Sequence, residues 1–309
     1  MSQHRSRTIS RLSNRLSQHT TTGVLGGAAI LATGLTLASI AGADSDPDAG
    51  HGADYTVAAS TDDPADSGES TDSAAPADPA RTGPVVAFGD SYFSAPSVPE
   101  GLGPCGRSTG NWTRLAAAET GRDIHDYSCA GDTSTTMLDR VDEAVKAGDL
   151  DAGTATVVLA IGGNDFSHQK AVLGDTVGDL PETRGKVLGN IAEAVSRIRA
   201  AAPDARLVFT GYLPSTDGPK VCRDAGTSVD DEPLNDLEAY ISGTMARAAE
   251  AAGASFVDVR DAAAGNSTCS PVGTRYVSGS DDGSSDVLLK WHPTQAGNRF
   301  MADLLIPEL

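Results

Sequence analysis

The sequence predicts a three-layer α/β/α domain, a five-stranded parallel sheet with helices on both faces. Between Gly83 and Leu309, short apolar runs alternate with longer segments of helical periodicity. The runs are continuously apolar rather than alternating, as expected of strands buried on both faces. The intervening segments are long enough to be the crossover helices that parallel strands require.

"PVVAFGD" (Pro84–Asp90) reads as a buried strand, and "NWTRLAAAETG" (Asn111–Gly121) as a helix stopped by Gly121. "IHDYSCAG" (Ile124–Gly131) is a weaker strand. "TTMLDRVDEAVKAG" (Thr135–Gly148) is a helix with Met137, Val141 and Val145 at four-residue spacing. "ATVVLAIGG" (Ala155–Gly163) is the clearest strand. "KVLGNIAEAVSRIRAAAP" puts Val187, Ile191, Val195 and Ile198 on one helical face and stops at Pro203. "ARLVFTGYLP" is a strand, "PLNDLEAYISGTMARAAEAAG" a helix and "ASFVDV" a strand. The last helix begins near Pro293 and runs through Phe300 and Leu304. This order suggests a flavodoxin-like arrangement, and no repeat of solenoid or propeller length interrupts it.

The segments before Gly83 are expected to lie outside the fold. Arg5, Arg7, Arg11 and Arg15 precede an apolar run, Gly23–Ala43, that ends in Ala41-Gly42-Ala43. Residues 1–43 therefore read as a secretory signal peptide, an uncleaved anchor being the alternative. Residues 44–82 form an acidic linker with ten Asp or Glu and Arg81 as its one basic residue. So little apolar surface cannot offset the entropy of ordering, and His51 within the linker is expected to be silent. Residues 83–309 have the length of one domain. Net charge is −19, and cleavage would remove four arginines and leave −23. That charge disfavours nucleic acid and anionic membrane surfaces as partners. Nothing in the pattern calls for an oligomer, so a monomer is expected.

All four cysteines, Cys105, Cys129, Cys222 and Cys269, fall in the domain. An even count in an exported chain points to two disulfides, with three connectivities open. The spacings do not match a zinc site.

Sites in such sheets form at the carboxyl ends of the strands. The first strand leads into "GDSYFSAP", with Ser91 on the turn. The second leads into "CAGDTSTT" with Gly131, and the third into "GGND" with Asn164. His292, in "LLKWHPT" at the start of the last helix, can reach the same edge. A serine hydroxyl needs a base to become a nucleophile, and histidine is the usual one. Acyl transfer also needs donors aimed at the developing oxyanion. The amides of Ser91 and Gly131 and the Asn164 side chain could supply three, glycine allowing close approach of the backbone.

These motifs, in this order over about Val85 to Leu305, resemble the SGNH or GDSL family of serine esterases and lipases. The four name-giving residues correspond to Ser91, Gly131, Asn164 and His292. The resemblance implies the α/β/α fold, ester hydrolysis through a seryl intermediate, and no metal or cofactor. "CGRSTGNW" is similar to the secreted actinobacterial branch, whose cysteines pair sequentially. That implies Cys105–Cys129 and Cys222–Cys269.

One position departs from the family. Where most members carry Asp three residues before the histidine, this chain has Leu289. Three arrangements compete. The main-chain carbonyl at Leu289 could orient His292, as in the Ser–His dyads of the resembled branch. Asp286 or another carboxylate could reach the ring instead. The protein could also be degenerate and only bind its ligand. The backbone carbonyl is the arrangement expected here; it fixes the tautomer but stabilises imidazolium less than a carboxylate does.

Other residues carry plainer readings. Asp90 and Asp165 support their turns, His125 packs or lies at the surface, and His168 on a polar loop is expected to be solvated. Tyr92, Phe93 and Trp291 are either core or cleft wall. "GDTSTT" would suit a flavin phosphate only after the first strand, and it follows the second. Asn111 and Asn266 match the glycosylation pattern. The expected activity is a secreted carboxylester hydrolase acting on lipid or short-chain acyl esters. The alternatives are a carbohydrate O-deacetylase of the same fold and a non-catalytic ligand-binding envelope protein.

Overall fold

The computed structural model describes residues 82–94, 103–172, 176–224, 227–280 and 289–309. The expected signal segment, nearly all of the acidic linker and Asp286 lie outside the described residues.

The chain runs β1 (Val85–Gly89), α1 (Ser91–Ser94), α2 (Trp112–Thr120), β2 (Ile124–Asp126), α3 (Met137–Ala147) and β3 (Thr156–Ala160). It continues through α4 (His168–Val172), α5 (Leu180–Ala201), β4 (Arg206–Thr210), β5 (Thr216–Asp217), β6 (Lys220–Asp224) and β7 (Thr227–Asp230). It ends with α6 (Glu232–Ala252), β8 (Ser255–Val257), α7 (Val259–Ala262) and α8 (Gln295–Leu305). The main sheet has the order β2-β1-β3-β4-β8, and each of its pairs is parallel.

The continuous apolar runs are explained by two cores, one on each face of the sheet. Val86, Phe88, Val157, Leu159, Leu207 and Phe209 pack against α3, α5 and α6. Their sequence neighbours Val85, Ala87, Val158, Ala160 and Val208 pack against α2 and α8. Strand side chains alternate in direction, so a strand covered on both sides must be apolar at every position.

Several boundaries differ from expectation for identifiable reasons. On α3, Met137, Val141 and Ala144 are buried, whereas Val145 is 43 % exposed. Steps of four residues drift about 40° each around a helix of 3.6 residues per turn, so the third position leaves the face. Helix α5 begins at Leu180, capped by Asp179 accepting from Glu182 N, ahead of the first apolar-periodic residue. Strand β2 stops at Asp126, whose Oδ1 accepts Ser128 N at 2.9 Å and turns the chain. The small antiparallel sheet β5–β6–β7 was not expected. Its last strand is exposed throughout, leaving no apolar pattern to read. Among the described residues, no helix is long and apolar enough to cross a membrane.

Candidate active site

Strand β1 delivers Ser91 through a tight turn into α1. A Cβ at Gly89 would lie 2.7 Å from the Phe93 ring, so only glycine lets α1 fold back this closely. Asp90, 2 % exposed, braces the turn, its Oδ1 accepting from Tyr92 N at 2.9 Å. Its Oδ2 accepts from the Tyr212 hydroxyl at 2.6 Å, and that hydroxyl accepts from Gly163 N at 3.0 Å. One partly buried network thus joins the ends of β1, β3 and β4. Burial pushes the Asp90 carboxyl up to about 6, against the hydrogen bonds from Tyr212 and Tyr92, which hold it down.

His292 comes from the other end of the chain. Residues 291–294 pair with residues 276–278 through Trp291 N–Ser278 O at 3.1 Å, Ser278 N–His292 O at 3.2 Å and Thr294 N–Tyr276 O at 2.9 Å. A bridge joins Val277 and Pro293. Thr294 then caps α8, accepting from Gly297 N. This places His292 Nε2 2.8 Å from Ser91 Oγ.

On its other side, His292 Nδ1 lies 2.8 Å from the carbonyl oxygen of Lys290. A carbonyl can only accept, so Nδ1 carries the hydrogen and Nε2 is the bare nitrogen facing the serine hydroxyl. The expected orienting carbonyl, Leu289, is therefore corrected to Lys290. Trp291 causes the difference: its φ of 62° is left-handed and turns the backbone so that the preceding carbonyl faces the imidazole. That conformation costs a bulky residue roughly 1–3 kcal/mol. Burial of the Trp291 ring with Val172, Val221 and Leu234 offsets it, so Trp291 is a core anchor. His292 is 3 % exposed, and burial lowers its pKa to about 4 despite the Lys290 hydrogen bond, which raises it.

The other two motif residues sit on loops that are tied to each other. Gly131 is exposed at φ 86°, and Asn164 Nδ2 donates to Asp132 O at 2.8 Å. Ser134 N and Oγ both donate to Asp165, at 2.7 and 2.8 Å. Arg140 Nε donates to Asp132 Oδ2 at 3.0 Å. Gly163 is pressed on the turn that carries Ser91, since a Cβ there would lie 3.3 Å from Asp90 Oδ2.

The disulfides join Cys105 to Cys129 and Cys222 to Cys269. Cys129 lies two residues before Gly131, and its N–H donates to Gly89 O at 2.9 Å. The second bond ties β6 to the segment leading towards Val277, the strand partner of the His292 loop. Ser280 N–Arg223 O at 2.8 Å adds to that tie.

His168 corrects another expectation: it is 7 % exposed, and its Nε2 lies 3.1 Å from Glu238 Oε1. Burial raises the Glu238 pKa, but the His168 contact and the donors Thr216 Oγ1 and Ser215 N outweigh it and the net direction is down. The Tyr92 ring packs against His168, Tyr212 and His292, while Phe93 packs on Trp112, so both residues are buried. Asn111 is fully buried and caps α2, so it is no glycan acceptor in the folded chain. Tyr212 was not singled out in the sequence. Its position just after the fourth strand, as Ser91, Gly131 and Asn164 follow the first three, is the signal for it.

The arrangement is a serine hydroxyl hydrogen-bonded to a neutral, oriented imidazole, with backbone and amide donors on adjacent loops. It can transfer an acyl group. The sequence profile of the GDSL-like Lipase/Acylhydrolase family matches residues 87–300. Lipase 2 of Streptomyces coelicolor is 33 % identical over 267 residues, covering 75 % of this chain and 89 % of the relative. Lipase 1 of the same organism is 30 % identical over 63 % of this chain and 76 % of its own length. Two solved structures share the fold at 23 % identity and a TM-score of 0.57, and each match covers 74 % of this chain. They are phospholipase A1 from Streptomyces albidoflavus, 98 % covered, and an extracellular lipase from Streptomyces rimosus, 99 % covered. The profile spans more than half of the chain and includes all four motif residues, so this chain belongs to the GDSL-like lipase/acylhydrolase family and is a serine ester hydrolase.

Proposed function

We propose that the protein is an exported lipase or esterase in which Ser91 and His292 form a catalytic dyad. The observation that carries this reading is the chain of contacts Ser91 Oγ–His292 Nε2–Nδ1–Lys290 O, each contact 2.8 Å. Ser91 Oγ attacks the ester carbonyl carbon as its proton passes to Nε2. The tetrahedral oxyanion is received by the amides of Ser91 and Gly131 and by Asn164. The Asn164 amide has two N–H bonds, so the contact to Asp132 O leaves one for the oxyanion. Collapse expels the alcohol, which takes the proton from Nε2. Water then attacks the acyl-enzyme by the same route, giving the carboxylic acid and restoring Ser91.

The curated relatives are named lipases, which supports acyl esters of lipids as substrates. Export is supported by the basic and apolar start of the chain, and by two disulfides, which persist in oxidising compartments. A panel of p-nitrophenyl esters and triacylglycerols tests the reading. Wild-type protein hydrolyses esters, and Ser91→Ala loses at least about a thousandfold in kcat/KM. Turnover that survives Ser91→Ala would refute the site.

A further inference from the structure

Beside the nucleophile's turn lies an open cleft of about 690 Å³, within the size range of small-ligand sites. Arg107, Arg114 and Arg140 line it together with the Cys105–Cys129 disulfide, and Glu143 is the one carboxylate among the described lining residues. The whole chain has 42 acidic and 23 basic side chains, so a wall with three cations and one anion reverses its composition. All three cations are arginine. Their planar forks match the oxygens of a phosphate, which a lysine meets only as a point charge.

Two of the arginines are held in place. Arg107 Nε donates to Ser128 O at 2.8 Å, and Arg140 Nε to Asp132 at 3.0 Å. Arg140 also pairs with Glu143 at 2.8 Å, so the cleft's anion-binding capacity rests first on Arg107 and Arg114. Arg114 is exposed on α2. The cleft adjoins the site through two loops. Ser108 N donates to Ser94 O, at the end of the short helix that Ser91 begins. Cys129 stands two residues before Gly131.

We propose that this arginine-lined cleft is an anion subsite that receives the phosphate diester of a lipid headgroup while the acyl ester lies at Ser91. The proposal deepens the ester-hydrolase reading and rests on it. A phosphate diester stays ionised at any pH at which an imidazole base works, and in a glycerophospholipid it lies one glycerol unit from the acyl ester. The strongly negative chain as a whole would be repelled by an anionic lipid surface, so a preference for such a lipid requires a local site.

The test compares kcat/KM for phosphatidylglycerol with that for diacylglycerol of the same acyl chains, both dilute in neutral-detergent micelles. Wild type is expected to prefer the phospholipid. Arg107→Gln/Arg114→Gln is expected to reduce the ratio about tenfold, the equivalent of one charge-assisted contact. An unchanged ratio overturns the proposal. If the double variant is unfolded by circular dichroism, Arg114→Gln alone decides: a drop of about threefold or more supports the subsite, and no change overturns it. Inorganic phosphate should inhibit phosphatidylglycerol hydrolysis and leave p-nitrophenyl acetate turnover untouched. A change in p-nitrophenyl acetate turnover would make the cleft an effector site for free phosphate and overturn the headgroup assignment. Failure of the ester-hydrolase reading looks different, because Ser91→Ala would then retain turnover of both lipids.

Discussion

Lowering the pH is the perturbation that most directly interrogates His292. In the proposed dyad His292 must be neutral to take the proton from Ser91. Burial lowers its pKa from 6.5 to about 4, which corresponds to roughly 3 kcal/mol disfavouring the charged form. At pH 5 an ordinary histidine would be only about 3 % neutral, whereas His292 would be about 90 % neutral. The acid limb of kcat/KM should therefore lie near pH 4, with nearly full activity retained at pH 5. Stability cannot report the same group cleanly. A lowered histidine pKa makes the unfolded chain bind the extra proton between about 4 and 6.5, so stability falls as pH falls through that window. Asp90, raised to about 6 from 3.8, makes the native state bind the extra proton between those values, and stability there falls as pH rises. The two slopes oppose each other over nearly the same range. The assay is therefore initial-rate hydrolysis of p-nitrophenyl acetate from pH 3.5 to 8, with quenched samples made alkaline before reading. An acid limb at or above pH 6.5 would refute the assignment of the buried, carbonyl-held imidazole as the base.

Three further outcomes follow from the same geometry. The single Nδ1 hydrogen is taken by Lys290 O, so Asp286→Ala should keep kcat within about threefold of wild type; a loss of several hundredfold would make Asp286 the third catalytic member. Tyr212→Phe removes the donor to Asp90 and leaves Gly163 N without its acceptor, which should cost about 1–3 kcal/mol in chemical denaturation and lower kcat more than it changes KM. Unaltered stability would show the network to be idle. Cys222→Ser/Cys269→Ser opens a link between residues 47 apart, for which chain entropy predicts up to about 4 kcal/mol. Because that link steadies the segment paired with His292, kcat should fall even below the melting transition, and a purely thermal effect would contradict that role.

The sheet, its crossover helices and the four motif residues were legible because each depends on local pattern. An apolar run flanked by turn residues is a strand wherever it lies, and the residue after it falls on the sheet's carboxyl edge. Ser91, Gly131 and Asn164 could be named for that reason. The partners of those residues were not legible. His168 and Glu238 are 70 positions apart, and each looks solvated until α4 and α6 bury both. The exposed edge of β5–β6–β7 offered no apolar period. On α3, the even spacing of four outruns the helical turn, so Val145 leaves the buried face that Met137 and Val141 share.

Fold class, family and the candidate serine and histidine can be read from the amino-acid sequence alone, because apolar periodicity and short turn motifs are local properties. What holds the histidine depends on contacts between distant segments. Every residue has a carbonyl, so composition cannot choose among them. The left-handed turn at Trp291, held by burial of its ring against residues from three other segments, selects Lys290. The same holds for the arginine cleft: Arg107, Arg114 and Arg140 come from separate stretches of sequence and line one cleft beside the Cys105–Cys129 bond only in the folded chain.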